Sequence, residues 1–548
     1  MIILFEEYQY NTERLKQVLS DRYFFPINSS KSKINYVGYY FNSTINEAVV
    51  ILPKVFINEN SLAFDEFDPE TLIYQTGEIK EKLSKMGKDK IVFEISTWLF
   101  RAIQQFNKRH YYNSISENQF LNQIVTNLEE KSNTELDIIL SLLKFYKENQ
   151  SFFTFISKSA HSQKNKINWN KTINKKQPII QNNTPIYFDL AITSKKVNYE
   201  EELLVLFYST LNFIKSKYAF DFSSPQNYEL IKGHHYENIL RKGCRYLKSI
   251  KYKYYSDKMI SIYNLLYAFF ERSEKTQSKK QIEEVLLIKD FNIVFEDMID
   301  DLIGDCKLLP ELKNHADGKQ VDHIYKYKSL LVEDEIYFVG DSKYYKPQNS
   351  VGKYSKAKQF TYAKNVIQYN IDLFNDGKLD KQLRYRENLT EGYNITPNFF
   401  ISAFVNKDFD FSKSYLDETE KPILQTHFEN RLFDRDTLFV QSYNINFLFV
   451  LSSYLTNNST LKTNFKKDTQ KKFREKLVSF INDKYHFYIL EPNDNSFIEK
   501  HFKLLNGKVY KPSHFTEEVI LALEKPDQTD IFSKIQSDIR TKKEYNLT

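Results

Sequence analysis

The stretch that decides the fold reads VDHIY at residues 321–325 and, after a short gap, IYFVGDSK at residues 336–343. The second run is apolar, is rich in strand-favouring residues and ends in an Asp-Ser-Lys triplet. This pattern predicts a buried strand with charged groups at its end. Because side chains alternate along a strand, Asp341 and Lys343 share one face and the serine between them lies on the other. Asp322 lies on the preceding segment, so the two runs predict a hairpin that carries two carboxylates and a lysine.

These three side chains favour metal-dependent cleavage of a phosphodiester. A carboxylate at the end of a buried strand needs a partner, and a metal ion is a suitable one. Carboxylate oxygens bind hard cations such as Mg²⁺, and the cation activates water and stabilises the charged phosphorus centre. In this arrangement Lys343 orients or deprotonates the water. The triplet alone is weak evidence, because a chain with 71 acidic and 77 basic residues in 548 contains about ten acid-x-base triplets by chance.

The flanking segments strengthen the hypothesis. Residues 291–303 are apolar at roughly helical spacing and include Glu296. Residues 359–363, QFTYA, open a second amphipathic helix that carries Gln359 and Tyr362. The order of a helix with Glu, a strand with Asp, a strand ending in Asp-x-Lys and a helix with Gln and Tyr resembles the PD-(D/E)xK nuclease superfamily.

That resemblance implies a fold, a metal and a set of site residues. The fold is α/β (α+β), a restriction-endonuclease-like core with a mixed β-sheet flanked by helices. Mg²⁺ is the implied metal, and Mn²⁺ is expected to support activity as well. The implied metal ligands are Glu296, Asp322 and Asp341, and the implied catalytic set adds Lys343 and Gln359. Further residues near the site are predicted to contact the DNA backbone: Lys346, Lys353, Lys356, Lys358 and Tyr362.

Two details depart from the superfamily pattern. Val321 stands where a proline precedes the first aspartate, and the Gln–Tyr spacing is shorter than in the RecB-like version. Neither departure removes a candidate metal ligand.

A second resemblance extends over most of residues 30–455. The motifs that carry it are YVGYY at 36–40, LPKVF at 52–56, INWNKTI at 167–173, PIYFDL at 185–190, DRDTLFV at 434–440 and YNINFLFVL at 443–451. In this order they are similar to the nuclease subunits of McrBC-type restriction systems, in the LlaJI-like branch. The resemblance implies that a separate McrB-like AAA+ GTPase supplies recognition and motor functions, while this chain supplies the cutting site for double-stranded DNA.

The sequence itself holds no nucleotide-binding loop of the Walker A type, because none of its Gly-Lys pairs is followed by Ser or Thr. GTP is therefore expected to act only through the partner subunit. The predicted organisation is a partner- and DNA-binding region over residues 1–280, β-rich at its start and then helical. A nuclease domain over 281–455 and a small C-terminal extension over 456–548 follow.

Composition predicts a soluble, cytoplasmic protein of two or three domains. Hydrophobic residues make up 41% and aromatic residues 16% of the chain, which is ample for packed cores. Cys244 and Cys306 make neither a disulfide framework nor a zinc site. No signal peptide opens the sequence, and no apolar stretch reaches the length of a membrane span.

Three basic stretches leave two interpretations open. Residues 158–176, 241–253 and 462–476 are rich in lysine and arginine, and in the second stretch tyrosines stand between the bases. Clustered bases neutralise phosphates and tyrosines stack on nucleotide bases, but a solvated helix face gives the same pattern. Trp169 likewise either contacts a base or a partner, or anchors the junction into a predicted strand at 186–190, and we favour the anchor.

Three functions follow as hypotheses. The leading one is a Mg²⁺-dependent DNA endonuclease subunit of a GTP-dependent restriction system that defends against phage. The second is a stand-alone defence or DNA-repair nuclease of the same superfamily. The third is a non-catalytic DNA-binding assembly subunit with a degenerate site. The choice of DNA over RNA rests on the resemblance.

Overall fold

The fold is taken from a computed structural model, which describes a large part of the chain with gaps. The described residues are 1–42, 44–73, 88–113, 124–126, 134–150, 156–159, 166–196, 201–218, 228–277, 284–305, 321–333, 335–344, 355, 357–365, 392–426, 430–456, 458–512, 515–526 and 529–548.

The strands are numbered in chain order. They are β1 (Ile2–Phe5), β2 (Gln9–Asn11), β3 (Phe25–Pro26), β4 (Lys31–Lys33), β5 (Tyr36–Asn42), β6 (Glu47–Leu52), β7 (Ile124–Thr126), β8 (Ile156–Ser159), β9 (Lys166–Ile167), β10 (Ile179–Gln181), β11 (Thr184–Ile186), β12 (Ile192–Lys196), β13 (Glu284–Lys289), β14 (His323–Lys328), β15 (Glu335–Lys343), β16 (Pro397–Phe404), β17 (Asp417–Thr426), β18 (Leu438–Asn446), β19 (Tyr485–Pro492), β20 (Val509–Tyr510), β21 (Val519–Glu524) and β22 (Ile539–Tyr545).

The helices are numbered in the same way. They are α1 (Thr12–Val18), α2 (Lys88–Asn113), α3 (Glu135–Glu148), α4 (Trp169–Lys175), α5 (Glu202–Tyr218), α6 (Gly233–Ile250), α7 (Asp257–Gln277), α8 (Asn292–Leu302), α9 (Phe447–Leu455), α10 (Ser459–Lys484), α11 (Phe497–Lys500), α12 (Phe502–Leu505) and α13 (Thr529–Ile535). Residues 357–365 form a further helical segment. Single 3-10 turns lie at Asp21–Tyr23, Lys54–Phe56, Thr71–Ile73, Lys251–Lys253 and Gln536–Asp538.

The N-terminal sheet has the strand order β1-β6-β5-β13-β7. β5 and β6 pair antiparallel, as the two apolar runs around residues 36–57 predict. Pro53 follows β6 directly, which confirms that it ends the strand. β13 comes from the middle of the chain and pairs with β5, so the first sixty residues and the segment before α8 share one sheet.

The second five-stranded sheet has the order β14-β15-β16-β18-β17, and we call it the site sheet. β14 and β15 form the predicted antiparallel hairpin. β15, β16 and β18 run parallel to one another, and β17 runs antiparallel to β18, so the sheet is mixed. Gly340 in β15 leaves room for a neighbouring ring, since a Cβ there would lie 2.1 Å from Phe399.

Helices cover this sheet. α8 contacts β15 and β14, and α9 packs on both α8 and α2. From α10, Phe473 stacks on Tyr443 of β18 with ring centroids 4.2 Å apart and lies 5.1 Å from the ring of Phe399. Aromatic contacts of this kind add to the free energy of burial. The molecule is therefore a mixed α/β fold in which the site sheet is packed between helices.

The remaining strands form smaller sheets. The C-terminal sheet has the order β20-β21-β19-β22. Two sheets have three strands, β8-β12-β9 and β2-β4-β3, and β10 pairs with β11. The division of the chain at residues 280 and 455 stays a prediction.

Two sequence expectations near residue 180 are wrong. The predicted strand at 186–190 does not form, because β11 ends at Ile186, and Phe188 is 78% exposed. Trp169 is 54% exposed, so it does not anchor this junction in a core. It begins α4 after Asn168, whose side chain caps the helix, and the cap determines its position.

Two composition-based expectations concern thiols and membranes. Cys244 is a buried free thiol, while Cys306 lies outside the described residues. Within the described part of the chain, no helix combines the length and the apolar character that a membrane crossing requires.

Candidate active site

The hairpin of β14 and β15 brings two carboxylates face to face. His323 pairs with Gly340 in the antiparallel register, so the preceding residue, Asp322, lies opposite Asp341. Asp341 is 1% exposed, and the Asp322 side chain is 8% exposed. Like charges directly opposite each other on two strands destabilise a sheet. The carboxylate pair, Asp322 and Asp341, therefore needs positive charge from another source.

The two members of the carboxylate pair differ in their pKa values. Burial raises the pKa of Asp322 well above its ordinary value, and its interactions with Asp341 and Glu296 raise it further. Burial also acts to raise the pKa of Asp341, but hydrogen bonding with Asp322 and the ammonium of Lys343 outweigh it, and the pKa is lowered. Asp341 is thus the more acidic member of the pair.

Two lysines contact the pair. The ammonium of Lys343, at the end of β15, contacts Asp341 Oδ2 and lies 5.4 Å from the centroid of the Phe400 ring. Lys358, on the 357–365 segment, places Nζ 3.8 Å from Asp322 Oδ1 and 4.0 Å from Asp341 Oδ1. The carboxylate pair and the two lysines lie together as the sequence predicts for Asp322, Asp341 and Lys343.

Glu296 approaches the pair from α8. Burial raises its pKa, a hydrogen bond from Asn292 at 3.3 Å lowers it, and Asp341 is near enough to raise it. Among the described residues, however, no three His, Cys, Asp or Glu side chains form a closed group that could hold a metal ion. The pair is the part of the predicted ligand set that lies in direct contact, and a role for Glu296 as third ligand stays a prediction.

A second polar cluster lies on the opposite face of the hairpin. His323, 0% exposed, contacts Ser342 Oγ through Nε2, and its Nδ1 lies 3.5 Å from Asp300 Oδ1. His323 is thus packed inside the fold, and no local sequence pattern indicates its partners. The three elements that carry the candidate ligands each contribute one residue to this cluster. His323 and Ser342 are the sequence neighbours of Asp322 and Asp341, and Asp300 lies about one helical turn from Glu296. The cluster therefore holds α8, β14 and β15 in register behind the site.

Gln359 links the 357–365 segment to the site sheet. Its Nε2 donates to the carbonyl of Val339 at 3.1 Å and to Asn398 Oδ1 at 2.9 Å. The side chain is fully buried, and its hydrogen bonds tie the 357–365 segment to β15 and β16. Tyr362 is 1% exposed, and Lys358 Nζ lies 5.1 Å from its ring centroid. The other predicted DNA-contacting lysines, Lys346, Lys353 and Lys356, lie outside the described residues.

The donor set fits a hard divalent cation. Asp322 Oδ2 is buried and has no hydrogen-bond partner among the described residues. It lies beside a second carboxylate, where a cation would replace repulsion with attraction. Mg²⁺ is commonly held by one or two carboxylates and completes its octahedral coordination with water, so the pair meets its minimum requirement.

The end of β15 is also fastened to the N-terminal sheet. Tyr344, which follows Lys343, donates its hydroxyl to Glu6 Oε2 at 2.6 Å. The backbone N–H of Lys54 lies 3.2 Å from the same hydroxyl and 3.3 Å from the same carboxylate oxygen. Burial raises the pKa of Glu6. This small cluster joins the end of β15 to the strand ends of the first sheet.

The described basic stretches differ in what their side chains do. In α10, Lys462 pairs with Asp301 at 2.6 Å, and Arg474 donates to the Ser329 carbonyl at 2.9 Å, so these bases hold the fold together. In α6, Arg241, Lys242 and Arg245 are exposed and form no ion pair with any residue that the structure describes. Part of the 158–176 stretch lies outside the described residues.

Tyrosines extend the basic surface of α6. Tyr246 is 40% and Tyr252 69% exposed beside it. We call Arg241, Lys242, Arg245, Tyr246 and Tyr252 the α6 surface. It presents its bases to solvent together with aromatic rings.

Comparison with known proteins adds a family. A model described as LlaJI restriction endonuclease matches residues 82–413, more than half of the chain. A chain of the cryo-EM structure of the Thermococcus gammatolerans McrBC complex is 12% identical, with coverage of 56% of this chain and 88% of that chain and a TM-score of 0.17. That likeness is too weak to support an inference. No curated protein matches the chain.

Proposed function

Because this chain belongs to the LlaJI restriction endonuclease family, we propose that it is a Mg²⁺-dependent DNA endonuclease that hydrolyses phosphodiester bonds at the carboxylate pair. The single observation that carries the proposal is the contact among Asp322, Asp341 and Lys343 at the end of a buried hairpin. Two buried carboxylates opposite each other lower the stability of the fold unless a cation binds between them. The proposal includes a PD-(D/E)xK core built on the site sheet.

The roles of the residues follow from their positions. Asp322 and Asp341 would hold Mg²⁺, with Glu296 as the candidate third ligand. When bound, the cation supplies a Lewis acid for the phosphoryl oxygen and lowers the pKa of a coordinated water. Lys343 is held beside the site by Asp341 and is positioned to orient the attacking water. The burial of these groups excludes bulk water and strengthens each electrostatic interaction.

Support for DNA as the substrate comes from the family and from the α6 surface. Exposed bases with interleaved tyrosines suit a phosphate backbone, and such contacts position a duplex without reading its sequence. We include in the proposal an McrB-like GTPase partner that docks on the region before residue 280. The absence of a Walker A sequence from this chain agrees with that division of labour.

The test is cleavage of plasmid DNA by the wild type and by Asp341→Asn, with Mg²⁺ or with EDTA, in the presence and absence of a GTPase encoded beside it and of GTP. We expect Mg²⁺-dependent cleavage by the wild type. Asp341→Asn should reduce the rate by more than about a hundredfold, because loss of a mere outer-sphere partner already costs up to about that factor.

The matched control is Asp494→Asn, which neutralises an exposed carboxylate near the C-terminal sheet and should cleave at the wild-type rate. Cleavage that needs the GTPase and GTP supports the restriction-subunit function. Mg²⁺-dependent cleavage by the lone chain supports the stand-alone nuclease. Binding of DNA without cleavage under all conditions would leave the assembly subunit and reject the proposal.

A further inference from the structure

Lys358 occupies an unusual position for a half-exposed side chain. Its side chain is 47% exposed, yet its ammonium lies about equally far from two carboxylates that are 8% and 2% exposed, at 3.8 Å and 4.0 Å. Lys343, by contrast, is 7% exposed, extends from the strand itself and, of the two members of the pair, contacts Asp341. Lys358 therefore reaches both members of the pair from the solvent side.

The charges around the pair explain why a second lysine is there. Glu296, Asp322 and Asp341 supply up to three negative charges, and Lys343 and Lys358 supply two positive ones. In the absence of a divalent cation, the ammonium of Lys358 offsets the repulsion within the pair. A divalent cation attracted by the same oxygens must compete with it, because both are drawn by the same Coulomb interaction.

The ammonium of Lys358 has alternative favourable positions away from the carboxylate pair. Its stem is long and flexible, and its ammonium already lies 5.1 Å from the ring centroid of Tyr362, one turn further along the segment. An ammonium over an aromatic face is attracted by the ring quadrupole. Solvent is open to it as well, since half of the side chain is exposed. Departure from the pair therefore costs Lys358 less than it would cost the buried Lys343.

We propose that Lys358 is the charge-balancing residue of the cation site: it neutralises the carboxylate pair when no divalent cation is bound, and it thereby sets the affinity of the site for that cation. The inference rests on the proposed function in one respect, namely that the pair binds a divalent cation. Lys358 is thus a positioning residue that acts through Asp322 and Asp341.

The proposal predicts that removal of the Lys358 charge increases the affinity of the site for a divalent cation. Lys358→Met keeps the length and apolar stem of the side chain and removes the charge, so the pair becomes more negative. The variant should bind Ca²⁺ roughly tenfold more tightly than the wild type, the size expected for removing one unit charge a few ångströms from a divalent ion in water. Structural damage alone would weaken binding.

The experiment is calorimetric titration of the full chain with Ca²⁺, which probes the oxygen ligands independently of catalysis. Lys358→Arg, which keeps the charge, should bind within about twofold of the wild type. Lys364→Met is the matched control on the same segment, because Lys364 pairs with Asp436 at 2.5 Å and lies 4.6 Å from the Phe360 ring. It should also leave the affinity unchanged.

Thermal unfolding gives a second readout. Lys358→Met should melt below the wild type without cation and gain more than the wild type on addition of Ca²⁺, since tighter binding to the folded state stabilises it more. Unchanged or weaker Ca²⁺ binding by Lys358→Met, beside a wild type that binds, would overturn the inference and leave the proposed function standing. A wild type that binds no divalent cation would overturn both.

Discussion

Gln359 is a motif residue whose contribution is structural. The sequence marks it because it stands with Tyr362 at the start of a helix after Asp-x-Lys. The structure places its amide between the Val339 carbonyl of β15 and Asn398 of β16, with Val339 two residues before Asp341. Its contribution to the site is therefore to hold the 357–365 segment, and with it Lys358, at a fixed distance from the strand.

Replacement of Gln359 by methionine should destabilise the protein. Both hydrogen bonds from Nε2 would be lost, and buried acceptors without donors cost about 1–3 kcal/mol of unfolding free energy. Urea unfolding followed by tyrosine fluorescence should show a lower midpoint. Gln150→Met, at an exposed amide, should shift the midpoint by less than a quarter as much. A wild-type midpoint for Gln359→Met would show that these bonds contribute nothing.

For single residues, the sequence predicted which side chains share a face of a strand, but it did not predict the contacts between side chains of different elements. Strand alternation is enough to place Asp341 and Lys343 on one face and Ser342 on the other, and the structure agrees. The contact of Lys358 with both carboxylates depends on where a separate helical segment packs. No local sequence pattern predicts the distance between that segment and β15. The partners of His323 are hidden for the same reason, because Asp300 lies on another element.

At the scale of elements, the exposed bases of α6 form no ion pair with any described residue. Replacement of Arg241, Lys242 and Arg245 together by alanine should weaken DNA binding and leave the site intact. Each lost phosphate contact lowers the slope of log K against log salt by about 0.9, so the slope should fall by up to about 3. Binding measured by fluorescence anisotropy at several salt concentrations gives this slope.

The control for α6 removes the same number of charges from α10, with Lys467, Lys471 and Lys476 changed to alanine. That variant should retain the salt dependence of the wild type, since the fold-supporting bases of α10 remain. Equal losses in both variants would mean that net charge alone drives binding and that α6 has no special part.

Element prediction succeeded where periodicity was strong. The strands β5, β6 and β15 and the helix α8 lie where alternation and helical spacing indicate them. The strand expected at 186–190 does not form, because β11 ends at Ile186 and the apolar Phe188 beyond it is exposed to solvent. Apolar side chains predict burial only when another element covers them, and the sequence of the segment does not show what covers it.

Glu284 is a carboxyl group away from the site whose pKa shift makes the stability of the fold depend on pH. Glu284 begins β13, pairs with Arg272 of α7 at 2.8 Å and accepts a hydrogen bond from the backbone N–H of Glu135 at 3.1 Å. Burial, partly offset by Arg272, raises the pKa of Glu284 from 4.5 to about 7. Between those values the folded chain keeps a proton that the unfolded chain has released.

The sign follows from this difference in bound protons. Glu284 lowers the free energy of unfolding as pH rises from about 4.5 to 7, by up to about 3 kcal/mol at complete ionisation. Glu284→Gln lacks the titration, so its melting temperature relative to the wild type should rise between pH 5 and pH 8. Glu229→Gln, at an exposed carboxylate, should track the wild type. A constant difference between Glu284→Gln and the wild type would refute the effect.

At the largest scale the chain is more interwoven than its sequence suggests. β13 joins the first sheet after more than two hundred intervening residues, and Phe473 of α10 packs onto the site sheet. Such pairings join distant parts of the chain. Local composition and periodicity describe one segment at a time, so they predict regions that follow one another in order and do not indicate these pairings. The mixed α/β class was predictable because strand and helix patterns alternate throughout.

The hydrogen bond between Tyr344 and Glu6 has an evolutionary consequence. These residues are 338 positions apart, yet a buried acid, a tyrosine hydroxyl and the backbone of Lys54 share one small volume. A relative that loses the acid at position 6 leaves the hydroxyl at position 344 with a poorer acceptor, and selection then favours phenylalanine there. Positions 6 and 344 should consequently change together across relatives, although one stands near the start of the chain and the other directly follows Lys343.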